Sequence, residues 1–519
     1  MQAVPSGFTA EEKEPVRKIV GSTQVSWKKQ LESASRLFTI GVSLIGGVDT
    51  IASSGEVTSD WNHYYYFDES DNLLGMNYER KLQQPIGGIS QAVAEVNLSN
   101  ISGRYTPRYM GGNSELFTSL LPRRPMILNA GFNYDGIDQM IPQFVGITTK
   151  NPETGLRDHK TKLEAADFVN FLSNKFVDNE SMFTGLRSDE VIENILTGLG
   201  FATAQFDLDT GINVIPFGVF NVGQKFSDII NQISQAEYAN FYQDEEGKLR
   251  FENRQHWDSS PYTDVQRVLT TSMVLDAKAP NLDHIINVVE VKAKPRAKQP
   301  TQVIYNSQMG LDLPDSTPVS IFIDYNDPIL QVITPTNGGS QSYYVANTQS
   351  DGSGTDVTSS VTLNIYNFTK TSKVTFVNNS GAQAFISDLV ISGRPAKVVD
   401  NIYYRQEDDS SVTAYEERPY VIENDYIQSE SWAESFAQMV LNDYAEPENL
   451  QDVTIRAIPE LQMGDLISWQ GRYWRIFGIK SRIDPSIGFV QDLTMLQRTI
   501  STYFRIGIST IGGADKIAP

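Results

Sequence analysis

Apolar residues alternate with polar ones at a period of two near the start of this chain, move to a period of 3.6 for one stretch, and then return to two. Such an order of periodicities predicts a molecule built mainly of half-buried strands with a helical interruption. The segment 92–98 reads AVAEVNL, and Ile19 to Ile51 alternates in the same way. A loop carrying Arg104, Tyr105 and Arg108 follows, and Arg123-Arg124-Pro125 then leads into MILNAGF and, after a turn, QFVGITT. Together these predict a compact antiparallel barrel or sandwich broken by one long loop.

Around Lys162 the spacing becomes helical, with Leu163, Ala166, Phe168, Val169 and Leu172 on one side. A second helix is expected from Ser188-Asp189-Glu190 to Leu199, stopped by Gly198 and Gly200, and a third from Ser227 to Tyr238. The last leads into a hairpin, Ala239 to Gln243 and Lys248 to Asn253, turning at Asp244 to Gly247. After a strand within IINVVEVKA, the basic stretch KPRAKQP suggests a boundary near 295–302. From 303 to 400 the text is rich in Thr, Ser, Asn and Gly, with turn signals at Asn337-Gly338-Gly339 and Asp351-Gly352-Ser353-Gly354. A helix over 429–444, with Trp432, Phe436, Met439 and Val440 at helical spacing, precedes strands that fill 450–500.

At 519 residues the chain exceeds what one hydrophobic core serves, so several domains are expected. The expected fold class is α+β and β-dominated, with an α+β insertion and an inserted β-sandwich-like module; that the remaining strands form two β-barrel, tube-like domains is what the family resemblance given below implies. The division is an N-terminal extension, 1–60; a first barrel, 61–160; the helix-hairpin domain, 161–260; a second barrel region from 261–302 and 401–500; the module, 303–400; and a tail, 501–519. One repeat links the two ends: Phe38 to Ala52 and Phe504 to Ala518 share ten identities in fifteen positions. The copies read either as one docking element used twice, with Phe38, Gly46, Gly47, Phe504, Gly512 and Gly513 engaging a partner, or as equivalent strands of duplicated barrels.

Chemistry is sparse. Gly41-Val42-Ser43 and Gly507-Ile508-Ser509 both fail the G-x-S-x-G pattern of a nucleophile elbow. His63, His159, His256 and His284 stand far apart and outside any H-E-x-x-H. Asp207-Leu208-Asp209-Thr210-Gly211 begins like a calcium loop but lacks its later ligands. No phosphate-binding glycine loop is present, and nothing selects one carboxylate pair for glycoside hydrolysis. No catalytic residue, metal or cofactor is therefore assigned. Tyr343 and Tyr344 are candidates for stacking on a glycan. Zero cysteines exclude disulfides and thiolate metal sites. Met1 to Lys18 lacks the basic start and apolar middle of a secretory signal, and no apolar run approaches the roughly 18 residues of a membrane span. With 42 basic and 63 acidic residues the net charge is −21, which disfavours affinity for nucleic acid.

The order AVAEVNLSNISGRYTP, LLPRRPMILNAGF and QFVGITT resembles the first barrel of tail hub proteins from long-tailed phages and their contractile baseplate relatives. The helix-bearing run from Pro419 to Asn449, then PELQMGDLISWQGRYWRIFGI and GFVQDLTML, is similar to the second barrel region of that family. There Gly464 and Asp465 would form a structural turn. The resemblance implies a non-enzymatic virion protein made in the host cytoplasm and placed at the tail tip. It also implies a homotrimer whose two barrels per chain form a six-fold-like ring, contacting the tail tube and other tail-tip proteins while genome DNA passes through without specific binding. Arg104, Tyr105, Arg123 and Arg124 are the expected subunit contacts. Two alternatives are a host-surface glycan-binding adhesin and, less favoured, a virion glycoside hydrolase.

Overall fold

The computed structural model describes residues 2, 19–27, 66–112, 114–155, 157–178, 181–278, 284–446 and 450–498. Both repeat copies, with Phe38, Gly46, Gly47, Phe504, Gly512 and Gly513, lie outside the described residues.

Six strands open the fold: β1 Ile19–Val25, β2 Leu73–Lys81, β3 Val93–Ser99, β4 Pro125–Tyr134, β5 Ile137–Thr148 and β6 Lys160–Ala166. They pair antiparallel in the order β2-β3-β6-β5-β4-β1. Ala94, Val96 and Leu98 of β3 point inward while Glu95, Asn97 and Ser99 point out, which is the alternation a one-sided sheet demands. Asp135 and Gly136, both at positive φ, form the two-residue turn between β4 and β5. That geometry matches the natural twist of paired strands.

The helix expected from Lys162 is a strand instead. Thr161, Leu163 and Ala165 alternate with Lys160, Lys162 and Glu164, and the charged set pairs across the outer face, Lys162 Nζ standing 2.7 Å from Glu95. The helical spacing arose because Val169–Leu172 forms a separate short helix directly after the strand.

Beyond it come α1 Ser188–Gly198, α2 Phe226–Glu237 and the hairpin β7 Asn240–Gln243 with β8 Leu249–Glu252. Glu190 accepts from the Arg187 N–H at 2.8 Å to start α1, and Tyr238, at φ 57°, ends α2 in the left-handed conformation.

Strands β9 Arg267–Val268 and β10 Val274–Ala277 follow. The strand inside IINVVEVKA is Val288–Ala293, paired with Ile402–Glu407 and Pro419–Glu423. The basic stretch near 295–302 contains a strand, β11 Arg296–Lys298. After it lie β12 Pro318–Asp324, β13 Val361–Asn367, β14 Thr371–Asn378 and β15 Ala384–Val398. Residues Leu313 to Ile391 contribute a core of their own, centred on Phe376, Tyr344 and Leu389. Helix α3, Glu430–Tyr444, starts where Ser429 Oγ accepts from the Trp432 N–H at 3.2 Å. Last are β16 Leu450–Arg456, β17 Leu466–Trp469, β18 Arg472–Asp484 and β19 Gly488–Arg498.

The second set of strands repeats the order of the first. It runs β10-β16-β19-β18-β17-β9, so in both sets the chain's second, third, sixth, fifth, fourth and first strands lie side by side. One difference is that β9 runs parallel to β17, whereas β1 runs antiparallel to β4. Pairing of β2 with β18 joins both sets, together with the two-residue strands Phe67–Asp68 beside β1 and Glu153–Thr154 beside β6, into one 14-stranded sheet. The first set encloses Trp27, Phe132 and Phe144, while a larger core runs from α1 and α2 through β7 and β8 to α3 and the second set. The architecture is thus β-dominated α+β, with several sheets.

Candidate functional site

Four places concentrate polar chemistry. The first is the loop between β3 and β4. Glu69, 1% exposed, accepts from Trp27 Nε1 at 2.8 Å, from Arg104 Nη2 at 2.9 Å and Nε at 3.1 Å, and from the Tyr105 hydroxyl. Arg104 reaches on to Glu115 at 2.7 Å. The bond to Glu69 raises the Arg104 pKa, while burial and then Glu69 raise that of Tyr105. Tyr105 is fully enclosed, and its ring lies 5.9 Å from that of Trp27. Arg124 is also buried, donating from Nε to the Ser119 carbonyl at 3.2 Å. Of the four expected contact residues, Arg123 is exposed and Arg104 partly so; Tyr105 and Arg124 face into the chain. The same loop exposes Ile101, Tyr109 and Leu121.

The second place is the joint between the two sets of strands and the helical insertion. Buried Arg80 of β2 pairs with Glu245 of the β7–β8 turn and donates to the Gln143 carbonyl at 3.0 Å. Gln143 accepts from the Tyr78 hydroxyl at 2.7 Å and donates to the Pro459 carbonyl at 3.0 Å. Gln462 reaches Glu245 at 3.2 Å, and its N–H donates to Asp465 at 2.7 Å. Asp465 is buried, which raises its pKa. Gly464, at φ 82°, and Asp465 clamp the start of β17 to β18 through backbone bonds with Ile476 of 2.9 and 3.0 Å. Beside this joint Asp167 accepts from the Ala92 N–H at 2.7 Å, and burial pushes its pKa up to about 7.

Third is the outer face of the 14-stranded sheet. Cross-strand registry sets Asp276, Thr454, Asp492, Lys480 and Glu79 in one row, and Arg482, Asn77, Glu95 and Glu164 in the next. Opposite charges meet repeatedly: Lys480 with Glu79 at 3.3 Å, Arg482 with Asp492 at 3.0 Å, and Lys150 with Glu164 at 2.8 Å. A cleft of about 350 Å³ opens on this face between Glu79, Lys81, Asp452 and Lys480. The face crosses from one set of strands to the other without a break.

Fourth is the calcium-like turn, which the structure closes with basic side chains of the chain itself. Asp207 pairs with Arg250, and Asp209 contacts His256 Nδ1 at 2.7 Å. His256 Nε2 stands 3.3 Å from Glu252, whose burial pushes its carboxyl up to about 7. Among the described residues no group of three or more His, Asp or Glu is arranged to hold a metal ion. Tyr344 is a core residue, its hydroxyl donating to the Val361 carbonyl at 2.6 Å and its ring meeting Phe376. Tyr343 is half-buried, so the two tyrosines present no joint stacking surface.

Glu69, Arg80, Gln143, Asp167 and Glu245 carry these sites without having stood out in the sequence. Each is a single polar residue whose partners lie tens or hundreds of positions away, and no local pattern marks it.

No protein-family model matches the chain, and no curated protein matches it. Solved structures similar to it include the 43 kDa tail protein of prophage MuSo2 from Shewanella oneidensis, at 9% identity over 83% of this chain and 95% of that one, with a TM-score of 0.43. A tail protein from Neisseria meningitidis is 7% identical over 93% and 98%, with a TM-score of 0.47. A type VI secretion system component from E. coli, described as similar in structure to bacteriophage T4 tail proteins, is 9% identical over 82% and 74%, with a TM-score of 0.36.

Proposed function

We propose that this chain is a structural subunit of a phage tail tip, a hub joining the tail tube to host-recognition proteins. The observation that carries this reading is the repeated strand order. A chain holding two copies of one six-strand topology can place two equivalent units in a ring, so three chains would offer six units to a six-fold tube. Of the stretches that resemble the hub family, those at 92–146 and 459–496 fall within these two sets of strands, while Pro419 to Asn449 supplies a strand of a separate sheet and helix α3. Each set is proposed as one tube-like barrel: the first takes in Ile19–Val25 and Lys160–Ala166 besides 61–160, the second lies within 261–302 and 401–500, and the helix-hairpin unit after Ala166 and residues 303–400 are insertions outside the ring.

In such a ring the unbroken polar face of the large sheet is the candidate pore lining. Its alternating Lys, Arg, Asp and Glu side chains form a wall whose charges are largely satisfied from within. Passing DNA would then meet few free cations to bind, and the net charge of −21 per chain would discourage attachment elsewhere. The role needs no reacting group, and we assign none.

Subunit contact is proposed at the loop that exposes Arg123, Ile101, Tyr109 and Leu121, with Arg104 behind it; Gly464 and Asp465 serve as the structural turn. Mass photometry and cryo-electron microscopy of the purified chain are expected to show three-fold rings with six-fold-like features. Arg123→Glu is expected to weaken the trimer about tenfold, ~1.4 kcal/mol, without lowering the melting temperature. A chain that stays monomeric at micromolar concentration and does not bind purified tail tubes would overturn the hub reading. The terminal repeats are proposed as docking elements, and deleting 504–519 is expected to reduce tail assembly.

A further inference from the structure

Strands β12, β14 and β13 form a three-stranded sheet in that order. One face supplies Ile323, Val374, Phe376 and Val361 to the module's core. The other face is open to solvent, and its composition is unusual. Registry places Phe322 opposite Lys373 and Lys373 opposite Tyr366, so the three side chains stand in one row across the sheet. Phe322 is 67% exposed and Tyr366 66%. The Tyr366 ring is braced by Phe368, whose centroid lies 5.0 Å away in an edge-on arrangement.

Small polar groups fill the neighbouring row. Ser320, Thr375 and Asn364 align there, with the Ser320 and Thr375 hydroxyls 2.8 Å apart. Lys373 is the only cation on the three strands, and no carboxylate of the described residues pairs with it. The acid at the end of the face, Asp324, is engaged by the Thr371 hydroxyl at 3.0 Å.

Neighbouring strands lie about 4.8 Å apart, so rings on the two flanking strands stand roughly 10 Å apart. That is close to the length of a disaccharide. An aromatic face suits the apolar C–H face of a pyranose, and hydroxyls and amides suit its O–H groups. The unpaired ammonium between the rings calls for a negative group at the same place. We propose that this face is a saccharide platform for a carboxylate-bearing polysaccharide, with Phe322 and Tyr366 stacking on sugar rings and Lys373 pairing with a carboxylate. The site is distinct from Tyr343 and Tyr344, and it stands whether or not the chain forms a ring.

The test is affinity electrophoresis of the full chain in native gels containing polygalacturonate, alginate or hyaluronate, with neutral dextran as comparison. Because the chain carries a net charge of −21, non-specific attraction to a polyanion is not expected, and retardation by at least one of the three would report a built site. Phe322→Ala and Tyr366→Ala are each expected to weaken that retardation at least tenfold, and Lys373→Gln to weaken it severalfold. All three side chains face solvent, so unchanged melting temperatures should show that the variants are folded. Absence of retardation by all three polyanions, equal retardation by dextran, or binding that survives both ring removals would each overturn the proposal.

Discussion

The Glu69→Ala chain is expected to lose about 3 to 5 kcal/mol of stability in its first set of strands, the range for breaking a buried charge pair by removing one partner. One carboxylate satisfies three side chains: Trp27 just after β1, and Arg104 and Tyr105 of the loop between β3 and β4. Without it the buried indole N–H and the phenol hydroxyl lose their acceptor, and the guanidinium keeps only Glu115 at the rim. Urea unfolding followed by tryptophan fluorescence, with limited proteolysis of the 100–124 loop, measures the effect. Glu69→Gln keeps an acceptor but not the charge, and should fall between Glu69→Ala and the parent chain. A loss below about 1 kcal/mol in Glu69→Ala would show that the loop is held by its apolar contacts instead.

A second large effect concerns pH. The Asp167 carboxyl, ordinarily near 3.8, is pushed up to about 7 by burial. Its proton is therefore held more tightly in the folded chain than in the unfolded one. The stability this contributes is complete below pH 3.8 and is lost as pH rises through about 7. Taken alone, the difference corresponds to roughly 4 kcal/mol. Glu252 acts in the same direction, again through burial, with His256 beside it opposing. The melting temperature is expected to be higher at pH 5.5 than at pH 8, the reverse of a protein held by exposed carboxylate pairs. Asp167→Asn retains an acceptor for the Ala92 N–H and removes the titration, so it should flatten this profile and melt higher than the parent at pH 8. An unchanged slope in that variant would sink the assignment.

Segments whose burial is one-sided were legible. The alternation of AVAEVNL gives β3, and the spacing of Trp432, Phe436 and Val440 gives α3, because in each case one face meets a core and the other meets water. The hairpin turn expected at Asp244 to Gly247 follows from its glycine, which stands at φ 96°. Residues 160–172 misled because a strand passes straight into a short helix, and inward residues of both mimic a single helical stripe. Tyr344 misled for a different reason. A tyrosine beside a tyrosine looks exposed in polar text, yet one of every two strand neighbours turns inward. The repeated six-strand order was not legible at all, since its two copies share topology rather than residues and the second is split by the long segment between β10 and β16.

One feature of the module at 303–400 reaches beyond its own sheet. It leaves the rest of the chain through β11 and returns through the end of β15, with Arg296 beside Val398 and Lys298 beside Ala396. Departure and return are thus neighbours on one antiparallel ladder, and closing the gap between them adds almost no loop-closure cost to the remainder. A graft of unrelated sequence at this point would ask only for two chain ends a strand's width apart. Exchange of the sequence between these two ends would leave the pairing of the other sheets untouched.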